Sequence, residues 1–110
     1  MYNLTKIEEL SGGDEDFIVS VVTLFIEEVP EDMQKIEEGI AEKDYHKVYQ
    51  NAHKIKPNVD LVGLDVAFQA ILEIEQSARA ENHEEVVAKY EVIYKEITTA
   101  IADLKRDYNI

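Results

Sequence analysis

The segment Ala52-His53-Lys54-Ile55-Lys56-Pro57-Asn58-Val59-Asp60-Leu61-Val62-Gly63 sets one imidazole, a lysine three residues on and a glycine ten residues on in a single helical stretch. An exposed imidazole is largely neutral near pH 7 and nucleophilic without the help of a base. It can attack phosphorus and hold a phosphoryl group covalently, and the phosphoramidate so formed is labile enough to pass on. A lysine within one turn offsets the charge of that group and helps to orient it. At ~100° per residue, with the apolar seam of this helix at zero, His53 points about 140° away and Lys56 about 80°. Both can therefore reach one anion. His53 lies on the polar face, where packing gives no reason for a histidine.

What the chain lacks narrows the chemistry further. There is no P-loop and no glycine-rich nucleotide loop. No compact acidic Mg²⁺ site is expected near His53, Asp60 being the nearest candidate. The chain can carry a phosphoryl group but is not equipped to take one from ATP by itself. It has no cysteine, which removes disulfides, thiolate metal sites and thiol catalysis together. No cofactor is implied.

The chain has 110 residues, enough for one domain over residues 1–110 with a single core. A net charge of -13 and a pI near 4.5 argue against nucleic acid and anionic membranes as partners, because neutralising phosphates needs a basic surface. No apolar run reaches the ~18 residues of a membrane span, and no signal segment opens the chain, so a cytoplasmic location is expected. The initial methionine and short tails favour a free-standing protein, and one phosphosite per bundle needs no second copy, so a monomer is expected.

Charge is unevenly spread. Residues 43–56 hold Lys43, Lys47, Lys54 and Lys56 with His46 and His53 against Asp44 alone, a net +3 beside -16 for the remainder. Such a patch can steer an acidic partner or an anion. On charge alone, a solvated helix face with clustered lysines fits equally well.

The elements that must position His53 are helical. Leu4, Ile7 and Leu10 mark a short first helix, which Gly12-Gly13 ends. Asp14 caps a second, with Glu15 and Asp16 in its first turn. Phe17, Val21, Leu24 and Phe25, with Ile18 and Val22, repeat at helical period, and Met33, Ile36 and Ile40 continue beyond Pro30. A bent but continuous helix to about Ala41 is expected. Asp44 caps the third, whose seam is Val48, Ala52, Ile55, Val59 and Val62. Gly63 breaks the chain, and Asp65 is expected to cap a fourth helix carrying Val66, Ala70, Ile71, Ile74 and Ala78. Asn82, with Glu85 three residues on, opens the last, where Val86, Tyr90, Ile93, Ile97, Ala100 and Leu104 form the stripe. No stretch alternates with period two. The fold class is all-α: an antiparallel up-down four-helix bundle with a short extra N-terminal helix capping one end.

These residues resemble the histidine-containing phosphotransfer (HPt) domain family. Its signature, Ala-His-x-Leu/Ile-Lys-Gly followed by two small residues and a later aliphatic-Gly pair, is met by Ala52, His53, Ile55, Lys56, Val62 and Gly63. Leu10 to Asp14 followed by Phe17-Ile18 is similar to the family's N-terminal junction. Phe25-Ile26-Glu27-Glu28-Val29-Pro30-Glu31 resembles its Phe-Leu-Glu-Glu-x-Pro-Glu stretch, and Ile74-Glu75 with Ala78-Arg79 its fourth-helix Leu-Glu-x-x-Ala-Arg pattern. The resemblance implies a phosphorelay intermediate. His53 would be phosphorylated and Lys56 would assist. The partners would be receiver domains of response regulators, which supply Mg²⁺ and the acidic site, and a hybrid sensor histidine kinase. Gln50, Lys54, Pro57, Asp60 and Gly63 would form the docking surface, with Gly63 ending the helix where the receiver docks. Pro57 departs from the family's glycine, and Asn58 and Val59 from its small residues. Proline cannot donate to the His53 carbonyl, so a bend between His53 and Pro57 is expected.

Two other readings stand beside this one. A docking module that keeps the bundle but carries no phosphate is motivated by Pro57, Asn58 and Val59. A carboxylate metal bundle would need Glu-x-x-His pairs on facing helices, and the chain has none. His46 and His53 share a face but are ~10.5 Å apart along the axis. His83 is expected to be solvated, and Phe17, Phe25 and Phe68 to be core.

Overall fold

Asp14 accepts the N–H groups of Asp16 and Phe17, Asp44 that of Lys47, and Asn82 that of Glu85, and each of the three opens a helix. In the computed structural model, which describes all 110 residues, the chain runs α1 (Thr5–Ser11), α2 (Glu15–Glu42), α3 (Tyr45–Leu61), α4 (Asp65–Arg79) and α5 (His83–Tyr108). There are no strands. Asp65 is not the cap of α4. Leu64 holds that position without a side-chain bond, and Asp65 is the first helical residue, where its charge suits the positive end of the helix.

Three connections of two or three residues join α2 to α5, which makes each helix antiparallel to the one before it. Helix α2 continues through Pro30 without a break. At 1.5 Å per residue its 28 residues span about 42 Å, matching the 42 Å long axis of the molecule. Helices α3 and α4 are much shorter, so α2 and α5 overrun them. Leu4 and Ile7 bury themselves over that overhang, the Asn3 N–H bonds the Val62 carbonyl at 2.8 Å, and Lys6 pairs with Asp60 at 2.7 Å. On the far seam Tyr90 of α5 donates its hydroxyl to Glu37 of α2; burial, then that bond, pushes the phenol above its usual range.

The core follows the helical periods closely in α3 and α5. Val48, Ala52, Ile55, Val59 and Val62 are sealed from solvent, as are Val86, Ile93, Ile97 and Leu104. Elsewhere the seam is displaced. On α2 the inner stripe is Ile18, Val22, Phe25, Val29, Met33 and Ile36, while Phe17 and Leu24 are exposed. On α4, Ala67 takes the inner position and Val66 faces out, and on α1 Leu10 is exposed. Phe17, Leu24 and Val66 each neighbour a buried seam residue, Ile18, Phe25 and Ala67, whereas Leu10 lies one turn beyond Ile7, the last buried position of α1. No helix is long and apolar enough to cross a membrane.

Candidate functional site

Helix α3 lies between α2 and α4, and its buried seam forces residue 53 outward. The His53 side chain is 59% exposed. Its ring is nevertheless held on two sides. Nδ1 stands 2.8 Å from Oε2 of Glu75, on α4, whose side chain is only 9% exposed. Lys56 Nζ reaches both oxygens of the same carboxylate, at 3.0 and 3.3 Å. A carboxylate ion-paired with a lysine only accepts, so the ring nitrogen facing it carries the proton. The lone pair then resides on Nε2, the nitrogen pointing away from Glu75. In its neutral form the imidazole can act as a nucleophile through this outward nitrogen, with its tautomer set by Glu75.

Glu75, not Asp60, is therefore the carboxylate at the histidine, and the ring has an acidic partner within its own chain. Asp60 is turned to Lys6. Sequence reasoning missed Glu75 because it lies 22 residues away on another helix. One signal was present: position 75 follows Ile71 by four and precedes Ala78 by three, so a charged residue occupies the apolar seam.

Tyr49, one turn before His53, lies nearly parallel to its ring, with centroids 5.8 Å apart and planes at 11°. Arg79, one turn after Glu75 on α4, donates to the Tyr49 hydroxyl at 2.6 Å and sets its guanidinium 4.5 Å from the ring centroid. A cavity of about 300 Å³ beside the histidine is lined by Tyr49, Lys56, Leu72, Glu75, Gln76 and Arg79.

Of the two readings of the basic stretch 43–56, the pairing of its lysines favours the solvated helix face. Lys47 pairs with Glu38 and Glu42, Lys54 with Asp32, and Lys56 with Glu75. The charge that clusters along residues 43–56 mostly answers carboxylates of the flanking helices. Asp32 is buried on α2, and its bond to Lys54 raises that ammonium's pKa.

The remaining site residues divide. Gln50 and Pro57 are exposed on the same stripe of α3 as His53. Lys54 faces α2, and Asp60 holds α1. Gly63, at φ +71, lies where a Cβ would sit 2.3 Å from the Asn3 carbonyl oxygen; the close approach of the N-terminal segment alone accounts for glycine there. Helix α3 is unbroken through Pro57. His83 is not simply solvated: its Nδ1 lies 3.0 Å from the Tyr45 hydroxyl, joining the starts of α5 and α3. No group of three or more His, Asp or Glu side chains is placed to hold a metal ion.

A family model described as Hpt domain matches residues 20–107, most of the chain and the whole of α3 and α4. The chain belongs to the Hpt domain family. No curated protein and no solved structure matches it. Hpt domains are helical bundles with a histidine phosphotransfer role in two-component phosphorelays, acting as phosphocarriers that meet receiver domains and kinases. The bundle observed here agrees with that membership.

Proposed function

We propose that His53 Nε2 accepts a phosphoryl group from a receiver-domain aspartate, or from a hybrid sensor kinase, and passes it to the aspartate of another receiver. The observation that carries this reading is the 2.8 Å contact between His53 Nδ1 and the buried Glu75. It holds the proton on the inner nitrogen and leaves the outer one nucleophilic.

The transfer balances without an external base. The Nε2 lone pair attacks phosphorus, the N–P bond forms, and the P–O bond to the donor aspartate breaks. The departing carboxylate keeps that electron pair. The Nδ1 proton stays in place, and Glu75 offsets the positive charge that the doubly substituted ring acquires. Lys56, already within reach of Glu75, turns toward the phosphoryl oxygens as they arrive. Handing the group on reverses each step. The receiver partner supplies the Mg²⁺ and the acidic residues around its own aspartate.

Docking falls on the exposed stripe of α3, with Gln50 and Pro57 on either side of His53. Lys54, Asp60 and Gly63 border it, set against α2, α1 and the segment before α1 respectively. The alternative is a docking module without phosphate, and Pro57 on that stripe is what favours it. Intact mass after incubation with phosphorylated receiver domains, and separately with a phosphoramidate donor, decides between the two. The carrier gains one acid-labile phosphoryl group that His53→Gln abolishes, while that variant keeps its helical circular dichroism. A folded wild type that gains no phosphoryl group from either donor is a docking module.

A further inference from the structure

We propose that Tyr49, itself held by Arg79, is a positioning residue that fixes the plane of the His53 imidazole for transfer. The inference rests on His53 being the phosphoryl acceptor.

The bond to Glu75 fixes one atom of the ring. A single hydrogen bond leaves the ring free to tilt about that contact, and the Nε2 lone pair, which lies in the ring plane, tilts with it. In-line attack requires that lone pair to point at phosphorus opposite the leaving oxygen, so the tilt matters as much as the tautomer. Tyr49 supplies the missing restraint. Residues four apart on a helix are neighbours, and the two rings lie within 11° of parallel, the offset-stacked arrangement that aromatic pairs prefer.

A tyrosine free to swing would restrain nothing. This one is half-buried and gripped from α4, where Arg79 bonds its hydroxyl and lies against its ring. The two helices thus form a two-rung ladder. Tyr49 and His53 are one turn apart on α3, Glu75 and Arg79 one turn apart on α4, and the rungs are His53–Glu75 and Tyr49–Arg79. The lower rung holds the position of the ring and the upper rung its orientation. No carboxylate pairs with Arg79. The grip on Tyr49 is the role its guanidinium fills.

The test compares wild type, Tyr49→Leu and Tyr49→Phe, the last keeping the stacked ring. Transfer rates are taken from a phosphorylated receiver and from phosphoramidate, and the His53 ring protons are followed by NMR in the unphosphorylated proteins. Tyr49→Leu should slow transfer about five- to tenfold from both donors alike. It should also lose the ring-current shift of the His53 protons while keeping its circular dichroism. Tyr49→Phe should recover most of the rate and the shift. Slowing with the receiver alone would make Tyr49 a docking contact and overturn the proposal. So would Tyr49→Leu at full rate, or a wild type whose His53 protons show no ring-current shift. Wild type that takes up no phosphoryl group refutes the parent reading and this one together, whereas a phosphorylated wild type beside an unimpaired Tyr49→Leu refutes this one alone.

Discussion

Asp32 on α2 and Glu75 on α4 approach α3 from opposite sides, both nearly sealed from solvent and both paired with a lysine of α3. Asp32 meets Lys54 alone, at 3.0 Å. Glu75 divides itself between Lys56 and the ring of His53. With one lysine, a buried carboxylate is a satisfied charge that ties two helices. Given a second partner that can hold its proton on either of two nitrogens, the same group becomes a device for choosing which. Burial and ion pairing are common to both, so neither marks a working site. The second partner is what sets Glu75 apart.

That contrast can be broken most sharply through transfer rate. Glu75→Ala should slow phosphorylation of His53 about 100-fold, the upper range for losing a residue that orients a reactive imidazole. Asp32→Ala should leave the rate within about twofold. Equal rates for the two variants, followed by intact mass over time, would mean that Glu75 is no more than a second Asp32. Stability should sort the pairs differently. Lys54→Met strands the buried Asp32, and an unpaired buried carboxylate costs ~2–3 kcal/mol. Asp32→Asn frees a lysine that already reaches water and should cost far less. Urea midpoints of the two variants measure the asymmetry, and equal midpoints would show that Lys54 does not compensate Asp32.

A surface carboxylate sets the lower limit of the comparison. Tyr2 donates to exposed Asp107, and that bond, ahead of partial burial, pushes the phenol up to about 12. The neutral phenol is the form that donates, so its contribution is complete below the unfolded value near 10 and lost as pH rises from about 10 to 12. Because the pair is largely solvated, the loss should stay under ~1 kcal/mol. Tyr2→Phe should flatten that part of the alkaline stability curve; an unchanged slope would assign it elsewhere.

Much of this was readable from one chain. Residues Val48 to Val62 and Val86 to Leu104 face inward as their spacing requires, the caps Asp14, Asp44 and Asn82 are made, and α2 runs through Pro30. Periodicity failed where two adjacent stripes were both apolar, as with Phe17 beside Ile18, because phase alone does not choose between neighbours. It also says which residues turn inward without saying what they meet. His53 was found because it stands where packing has no use for it. Glu75 and Arg79 entered only as part of a family pattern, and Tyr49 was not singled out. Their roles depend on which face of α4 meets α3, and that is settled by tertiary packing. The lysines of α3 left two readings open for the same reason: the carboxylates that pair with Lys47, Lys54 and Lys56 lie on the flanking helices.

The ring stacked on His53 has a further consequence. The chain contains no tryptophan, so its near-ultraviolet absorption and emission come mainly from six tyrosines. One of them lies nearly parallel to the imidazole that would change charge on phosphorylation, with ring centroids 5.8 Å apart. The protein thus carries a built-in chromophore beside its proposed acceptor, and the loading of His53 should be visible as a change in tyrosine signal, in real time and without a label.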